Sequence, residues 1–131
     1  MRCLMIPLLV ALPCPARAQS VEVDVELFLA VDVSRSMSQE EHEIQRRGYA
    51  EALLSRDVME AVRDGLLGRI ALTYVEWAGE GAQRVVVPWQ VLETAQDAEA
   101  IAARILAHDG AGLRRTSISD ALAYAAGDFD D

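Results

Sequence analysis

The chain has 131 residues, 52% of them hydrophobic and 25% charged, a balance typical of a globular domain and not of a disordered tail. Its formal net charge is −9, and its basic residues are arginines scattered along the sequence. Nucleic-acid binding and adhesion to an anionic membrane both need a clustered basic surface, so both are disfavoured. The length allows one domain at most.

The first 18 residues have the pattern of a cleaved secretory signal. Arg2 supplies a positive start, a short apolar run follows, and Ala16 and Ala18 place small residues where a signal peptidase reads them. The apolar run is too short to span a bilayer, which takes about 20 residues. We therefore predict a signal peptide at 1–18, a single domain at 19–131 and a periplasmic or secreted location.

Both cysteines, Cys3 and Cys14, lie inside the predicted signal. Cys14 raises the alternative of a lipoprotein signal, but the Ala-Leu-Pro before it is a poor match to the small residues that lipidation prefers. Without these cysteines the exported chain has no disulfide and no thiolate metal site. Its stability must then come from an apolar core.

The first predicted strand lies within residues 21–33, where apolar and acidic residues alternate before a continuous apolar run. Such a run is typical of a central strand covered by helices on both faces. Ser38 and Glu41 then form a capping box, which predicts a helix from about residue 39 to 54. A shorter helical piece is predicted over 57–64.

Residues 69–77 are rich in β-branched and aromatic side chains and predict a second strand, parallel to the first. A short glycine-containing loop predicts a hairpin, so residues 83–89 should return antiparallel as a third strand. Pro88 cannot donate to a ladder and places this strand at the sheet's edge. Two further helices are predicted, over 97–107 and from about 116 to the end.

This strand order leaves the first and most apolar strand with one unpaired side. An exposed apolar edge promotes aggregation, and native proteins avoid it. No remaining segment of the sequence is a candidate to pair there. We therefore expect the chain to be the front portion of a larger α/β domain.

Three oxygen-bearing side chains, Asp32, Ser34 and Ser36, alternate after the first apolar run. Alternate residues of an extended segment project to one side, and ligands of open α/β sheets bind at the carboxyl ends of the strands. A carboxylate and two hydroxyls are hard donors that suit Mg²⁺ or Mn²⁺. The alternative is a turn in which these residues bond only local backbone groups.

Thr116 stands at the start of the last predicted helix, where a hydroxyl also serves as a cap. At this point the sequence resembles the von Willebrand factor A family, in which an apolar strand ends in Asp-x-Ser-x-Ser and Thr-x-x-x-x-Ala-Leu follows. Asp32, Ser34, Ser36 and Thr116 match the metal-ion-dependent adhesion site of that family residue by residue.

The resemblance extends over residues 25–131 and is closest to a bacterial exported subgroup defined only as a domain of unknown function; GRIALTYVEWAG and RRTSISDAL carry it. It implies a three-layer, doubly wound, Rossmann-like fold, truncated after the helix that follows Thr116. It also implies a non-catalytic module that binds a partner's carboxylate through Mg²⁺ or Mn²⁺. The family's last acidic ligand, on the next strand, has no counterpart here, so weak metal affinity is expected.

Two other functions remain open. Phosphoryl-transfer enzymes of the haloacid dehalogenase type also place an Asp after an apolar strand and use Mg²⁺, but they need a second acid where Ser34 stands. A non-functional remnant is the other alternative, because the predicted sheet is incomplete. Neither His42, expected on a solvated helix face, nor His108, in a loop without a ligand partner at suitable spacing, predicts catalysis.

Glu76 and Trp77 end the second predicted strand, next to Asp32 in the expected sheet. They could shape a rim that contacts the protein partner. A Trp in this position is more often a packing residue, and the sequence leaves both roles open.

Overall fold

The computed structural model of the chain describes residues 21–34, 37–78, 82–108 and 118–129. The strands and helices alternate in the order β1 (Glu26–Asp32), α1 (Gln39–Leu54), α2 (Arg56–Arg63), β2 (Ile70–Trp77), β3 (Gln83–Leu92), α3 (Ala95–Ala107) and α4 (Ile118–Asp128). This α/β order confirms the succession of elements predicted from the sequence. The predicted signal at 1–18 and two predicted metal ligands, Ser36 and Thr116, lie outside the described residues.

The three strands form one mixed sheet in the order β1-β2-β3. β1 pairs with β2 in parallel, from Glu26 opposite Ala71 to Asp32 opposite Trp77. β3 pairs with β2 antiparallel, which confirms the predicted hairpin. The carboxyl ends of β1 and β2 therefore lie together, and Asp32 is the last residue of its strand at that end.

β3 lies at one edge of the sheet and carries an irregularity around Pro88. Tyr74 pairs with Val87 while Leu72 pairs with Gln90, so β3 has one residue more than β2 in this stretch. A proline has no N–H for the ladder and is tolerated at an edge or a bulge. The Thr73 hydroxyl donates to the Val87 carbonyl oxygen at 2.8 Å. The prediction that Pro88 marks an edge strand is confirmed.

β2, and not β1, is the buried strand of the sheet. Every residue of β2 from Leu72 to Trp77 is buried, whereas Val31 is the one buried residue of β1. The prediction that the apolar run of β1 is covered on both faces is wrong for the described residues. The physical reason is that, in the part of the chain that the structure describes, β1 has a hydrogen-bonded neighbour on one side only and is only partly covered by α4.

The main core lies between the sheet and the helices α1 and α3. Leu72 and Tyr74 of β2 contribute to it together with Leu53 of α1 and Ile101 and Ile105 of α3. The rings of Tyr49 and Tyr74 meet edge to face at 5.4 Å, an arrangement that favours aromatic packing. Burial raises the pKa of the Tyr74 phenol, and the nearby Glu76 carboxylate raises it further. This core holds both helices on one face of the sheet.

Capping boxes set the starts of both helices in this layer. Ser38 accepts from the Glu41 N–H at 3.2 Å, and the Glu41 carboxylate accepts from the Ser38 N–H at 2.7 Å. The first box and the bounds of α1 were predicted from the sequence. Thr94 and Asp97 form a second box, so α3 begins at Ala95, two residues before the predicted start.

The opposite face of the sheet is covered by α4 alone among the described elements. Phe28 of β1 meets the rings of Trp89, Tyr124 and Phe129 at centroid distances of 6.1–6.3 Å. The Trp89 indole N–H also donates to Asp128 at 2.8 Å. Among the described residues, no helix combines the length and apolar character needed to cross a bilayer.

Candidate functional site

Asp32 is held at the carboxyl end of β1 by a local turn. Its Oδ1 accepts from the backbone N–H of Ser34 at 2.8 Å. The ladder to β2 continues one residue further, because the Val33 N–H donates to the Trp77 carbonyl at 2.8 Å. The half-buried Asp32 side chain therefore projects at the end of the sheet, beside Trp77 and towards the α4 side.

Ser34 is buried directly after the strand and begins the connection to α1. Its carbonyl oxygen accepts from the Met37 N–H at 3.1 Å, one residue before the Ser38 cap. The structure thus brings Asp32 and Ser34 together at the position that the sequence predicted, between a parallel strand and a capped helix. Ser36 and Thr116 lie outside the described residues, so the four-residue metal site stays a prediction.

The described donors at this position suit a hard cation better than a soft one. Asp32 offers a carboxylate and Ser34 a hydroxyl, whereas Zn²⁺ sites are built from several nitrogen or sulfur ligands. No group of three or more His, Cys, Asp or Glu side chains within the described ranges could hold a metal ion. Mg²⁺ keeps several waters in many protein sites, so a site with one carboxylate is chemically acceptable. The Asp32–Ser34 hydrogen bond is equally compatible with a purely structural turn.

A cavity of about 460 Å³ lies between β1 and α4, next to the candidate site. Its lining is mainly apolar and includes Phe28, Ala30 and Leu122, with the Asp32 carboxylate at the sheet end. The Trp77 ring also lines it, and the buried Trp77 Nε1 has no hydrogen-bond partner within the described residues. Among the described residues that line this cavity, Asp32 is the one with a charged side chain.

The proposed rim residues are both buried in this structure. Glu76 is 1% exposed and Trp77 is 4% exposed. They lie on opposite faces of the sheet, since Trp77 lines the cavity on the α4 side and successive strand residues alternate. This burial favours the packing interpretation of Trp77, and neither side chain is presented to a partner at the surface.

Glu76 instead belongs to a polar junction that the sequence did not predict. Its Oε2 lies 3.1 Å from Nε2 of His108, and Nη1 of Arg84 lies 2.9 Å from the same nitrogen. One ring nitrogen cannot donate to the carboxylate and accept from the guanidinium at once, so only one of these contacts is a hydrogen bond at a time. The junction links the end of α3 to β2 and β3. Glu76 and Arg84 are paired across the β2–β3 hairpin, but His108 is far from both in sequence, so no spacing motif could have revealed the junction.

His42 differs from its predicted environment as well. It was expected on a solvated face of the first helix, but it is buried on the inner face of α1 together with Arg46. The expectation followed the acidic residues around it, which do point outwards, and missed the i, i+4 spacing that places both side chains on one face. This prediction was wrong.

Comparison with curated proteins gave no match, and comparison with solved structures gave none. A family model with the description "Protein of unknown function (DUF1194)" matches residues 22–131, which include every described element. The match covers well over half of the sequence and agrees with the resemblance to a subgroup without a known function. The chain therefore belongs to the DUF1194 family of proteins of unknown function.

Proposed function

We propose that this protein is an exported, non-catalytic module of von Willebrand factor A type that binds a protein partner through a divalent cation. The observation that carries the proposal is the position of Asp32 and Ser34. They stand side by side at the carboxyl end of a parallel strand and directly before a capped helix. Ligands of open α/β sheets bind at this end of the strands.

The proposed ligands would have different roles, which depend on their charge. Asp32 would supply the negative charge that holds the cation, and the hydroxyls of Ser34, Ser36 and Thr116 would be neutral ligands. Bound Mg²⁺ or Mn²⁺ would supply an electron-poor centre with an open position for a carboxylate of the partner. A single acidic ligand gives weak attraction, so we expect the chain alone to bind the cation weakly.

Titration calorimetry of the chain with MgCl₂, repeated with MnCl₂, tests the proposal. We expect a dissociation constant above roughly 10 μM, in the range of weak cation sites in proteins. Asp32→Ala should abolish binding because it removes the main counter-charge. Glu51→Ala is the matched control, because it removes an exposed acid of α1 outside the candidate site. It should leave metal binding unchanged.

Four outcomes would contradict the proposal. If the Asp32→Ala variant bound the metal as well as the unmodified chain does, Asp32 would not be a ligand of the cation. Tight metal binding by the unmodified chain would contradict the predicted weak affinity. Hydrolysis of a phosphate ester that disappears with Asp32→Ala would favour the enzyme. Aggregation without a cooperative melt would favour the remnant.

A further inference from the structure

The loop between α2 and β2 turns successive backbone N–H groups towards one carboxylate. The Leu67 N–H donates to both oxygens of Asp24, at 2.8 Å to Oδ1 and 3.0 Å to Oδ2, and the Arg69 N–H donates to Oδ2 at 3.3 Å. Gly68, between them, has a φ of 70°, a left-handed conformation that glycine adopts at little cost. Successive N–H groups turned to one side in this way form an anion-binding concavity, a nest. Residues 66–69 are called the nest below.

The Asp24 carboxylate is held in the nest in its charged form. Hydrogen bonding by the Leu67 N–H is the main cause of a lowered pKa of the Asp24 carboxyl. Desolvation opposes this effect, and the N–H groups of the rest of the nest add to the lowering. Hydrogen bonds that lower the pKa of a carboxyl stabilise its anion. The nest therefore favours a negatively charged ligand.

The residue before the nest fits closely around the same carboxylate. A Cβ added at Gly65 would collide with the Asp24 carboxylate oxygen and would lie 2.8 Å from its Cγ, closer than real Cβ atoms approach other atoms. The bare backbone of Gly65 therefore contributes to the shape of the site. A methyl group at this position would expel the carboxylate without altering Asp24 itself.

Asp24 also joins the segment 21–25 to the start of β2. The Asp24 N–H donates to the Arg69 carbonyl at 2.9 Å, and the Arg69 Nε donates to the Glu22 carbonyl at 2.8 Å. Together with the nest, these hydrogen bonds hold the segment against the loop before β2. This contact lies at the opposite end of β1 from Asp32.

We propose that the nest is a carboxylate-binding site whose resident ligand is the Asp24 side chain, and that it takes up a free monocarboxylate such as formate when Asp24 is removed. In the unmodified chain the bound Asp24 acts as a latch that holds the segment 21–25 on the loop. The donors are backbone groups, so the site selects a small anion by its charge and size. The site includes neither Asp32 nor a cation and is separate from the proposed metal-dependent function.

Chemical rescue tests the binding site directly. Asp24→Ala removes the resident ligand, and sodium formate is compared with sodium chloride at equal ionic strength, so that screening is the same. At several times its dissociation constant, formate should raise the melting temperature of the variant by about 2–5 °C more than chloride does. The unmodified chain should show no such difference, because the chain itself keeps Asp24 at a high effective concentration beside the nest.

Glu22→Ala is the matched control for the rescue. It removes a neighbouring exposed acid and leaves the Asp24 carboxylate in the nest, so formate and chloride should act on it alike. A formate effect that is absent from Asp24→Ala, or equal in Asp24→Ala and Glu22→Ala, would overturn the proposal.

Gly65→Ala tests the latch through a double-mutant cycle. In the unmodified chain the added methyl group should expel the Asp24 carboxylate and lower the melting temperature. In the Asp24→Ala background the colliding group is gone, so the same substitution should change the melting temperature little. Gly48→Ala is the control in both backgrounds, since a Cβ there meets nothing within 4 Å. Equal losses from Gly65→Ala in both backgrounds would contradict the proposed fit.

Hydrogen exchange of the unmodified chain provides a readout that does not depend on any variant. The Leu67 N–H lies in a loop, and its acceptor is the Asp24 carboxylate. If the latch is closed, this amide should exchange roughly tenfold or more slowly than a freely exposed loop amide. Free exchange of the Leu67 amide in the folded chain would overturn the proposal.

Discussion

The two faces of the sheet are covered to very different degrees. On one face, α1 and α3 cover Leu72 and Tyr74 of the sheet. Neither of these side chains is exposed to solvent, and nor is Ile105 of α3. On the other face, α4 leaves Leu122 67% exposed and Phe129 42% exposed, beside a cavity. The stability of the described protein is therefore concentrated on one face, and its candidate metal site lies beside the other.

The difference follows from how the helices are held. α1 and α3 pack against each other as well as on the sheet, and each begins with a capping box. α4 rests mainly on the aromatic rings of Phe28 and Trp89 and on one indole hydrogen bond. Regions with few buried apolar contacts open first, so we expect the α4 face to open before the α1–α3 face.

The largest expected effect is on the well-packed face. Ile105→Ala removes a fully buried side chain and leaves a cavity, so unfolding free energy should fall by about 2–5 kcal/mol. Leu106→Ala, on the adjacent residue of α3, removes a side chain that is 52% exposed and should cost less than about 1 kcal/mol. Urea denaturation measures both. Similar losses would mean that α3 does not pack on the sheet as described.

A smaller effect is expected on the α4 face. Phe28→Ala removes the ring that contacts Trp89, Tyr124 and Phe129, but this ring is only half-buried. The loss should be about 2 kcal/mol, roughly half of that for a buried Phe. The same urea experiment measures it. A loss as large as that for Ile105→Ala would contradict the difference in packing between the two faces of the sheet.

The Trp89–Asp128 hydrogen bond tests whether α4 docks as described. Asp128→Ala removes the acceptor of the indole N–H and should cost about 1 kcal/mol. The fluorescence emission of Trp89 should also change in this variant. It is measured in a Trp77→Phe background, in which Trp89 is the one remaining tryptophan. The exposed Asp57 of α2 offers a control, since Asp57→Ala should leave the emission unchanged. An unaltered spectrum in Asp128→Ala would contradict the docking of α4.

The smallest expected effect is a loss of folding stability at low pH, which depends on the capping box at the start of α3. Hydrogen bonds from the Thr94 side chain and backbone lower the pKa of the Asp97 carboxyl below its usual 3.8. A carboxyl with a lowered pKa in the folded state adds stability above the unfolded value, and that stability is lost as pH falls through the lowered pKa. Melting temperatures between about pH 5 and pH 2 should therefore fall less steeply in Asp97→Asn than in the unmodified chain. Parallel curves would contradict this role.

The described part of the candidate site could be expected from the sequence because its cues are local. An apolar strand, Asp32 two residues before Ser34, and the Ser38 capping box lie within a short stretch, and the structure places them as predicted. The burial of Glu76 and its contact with His108 could not be expected. Those two residues meet only because α3 packs back against the end of β2.

The sequence by itself determined the succession of strands and helices, the start of α1 and the edge position of the strand with Pro88. These features depend on hydrogen bonds and backbone limits between near neighbours. Only the tertiary structure decided that β2 is buried while the apolar β1 stays partly exposed, and that His42 lies inside. Burial depends on which elements pack on each face, and a run of apolar residues does not specify its neighbours.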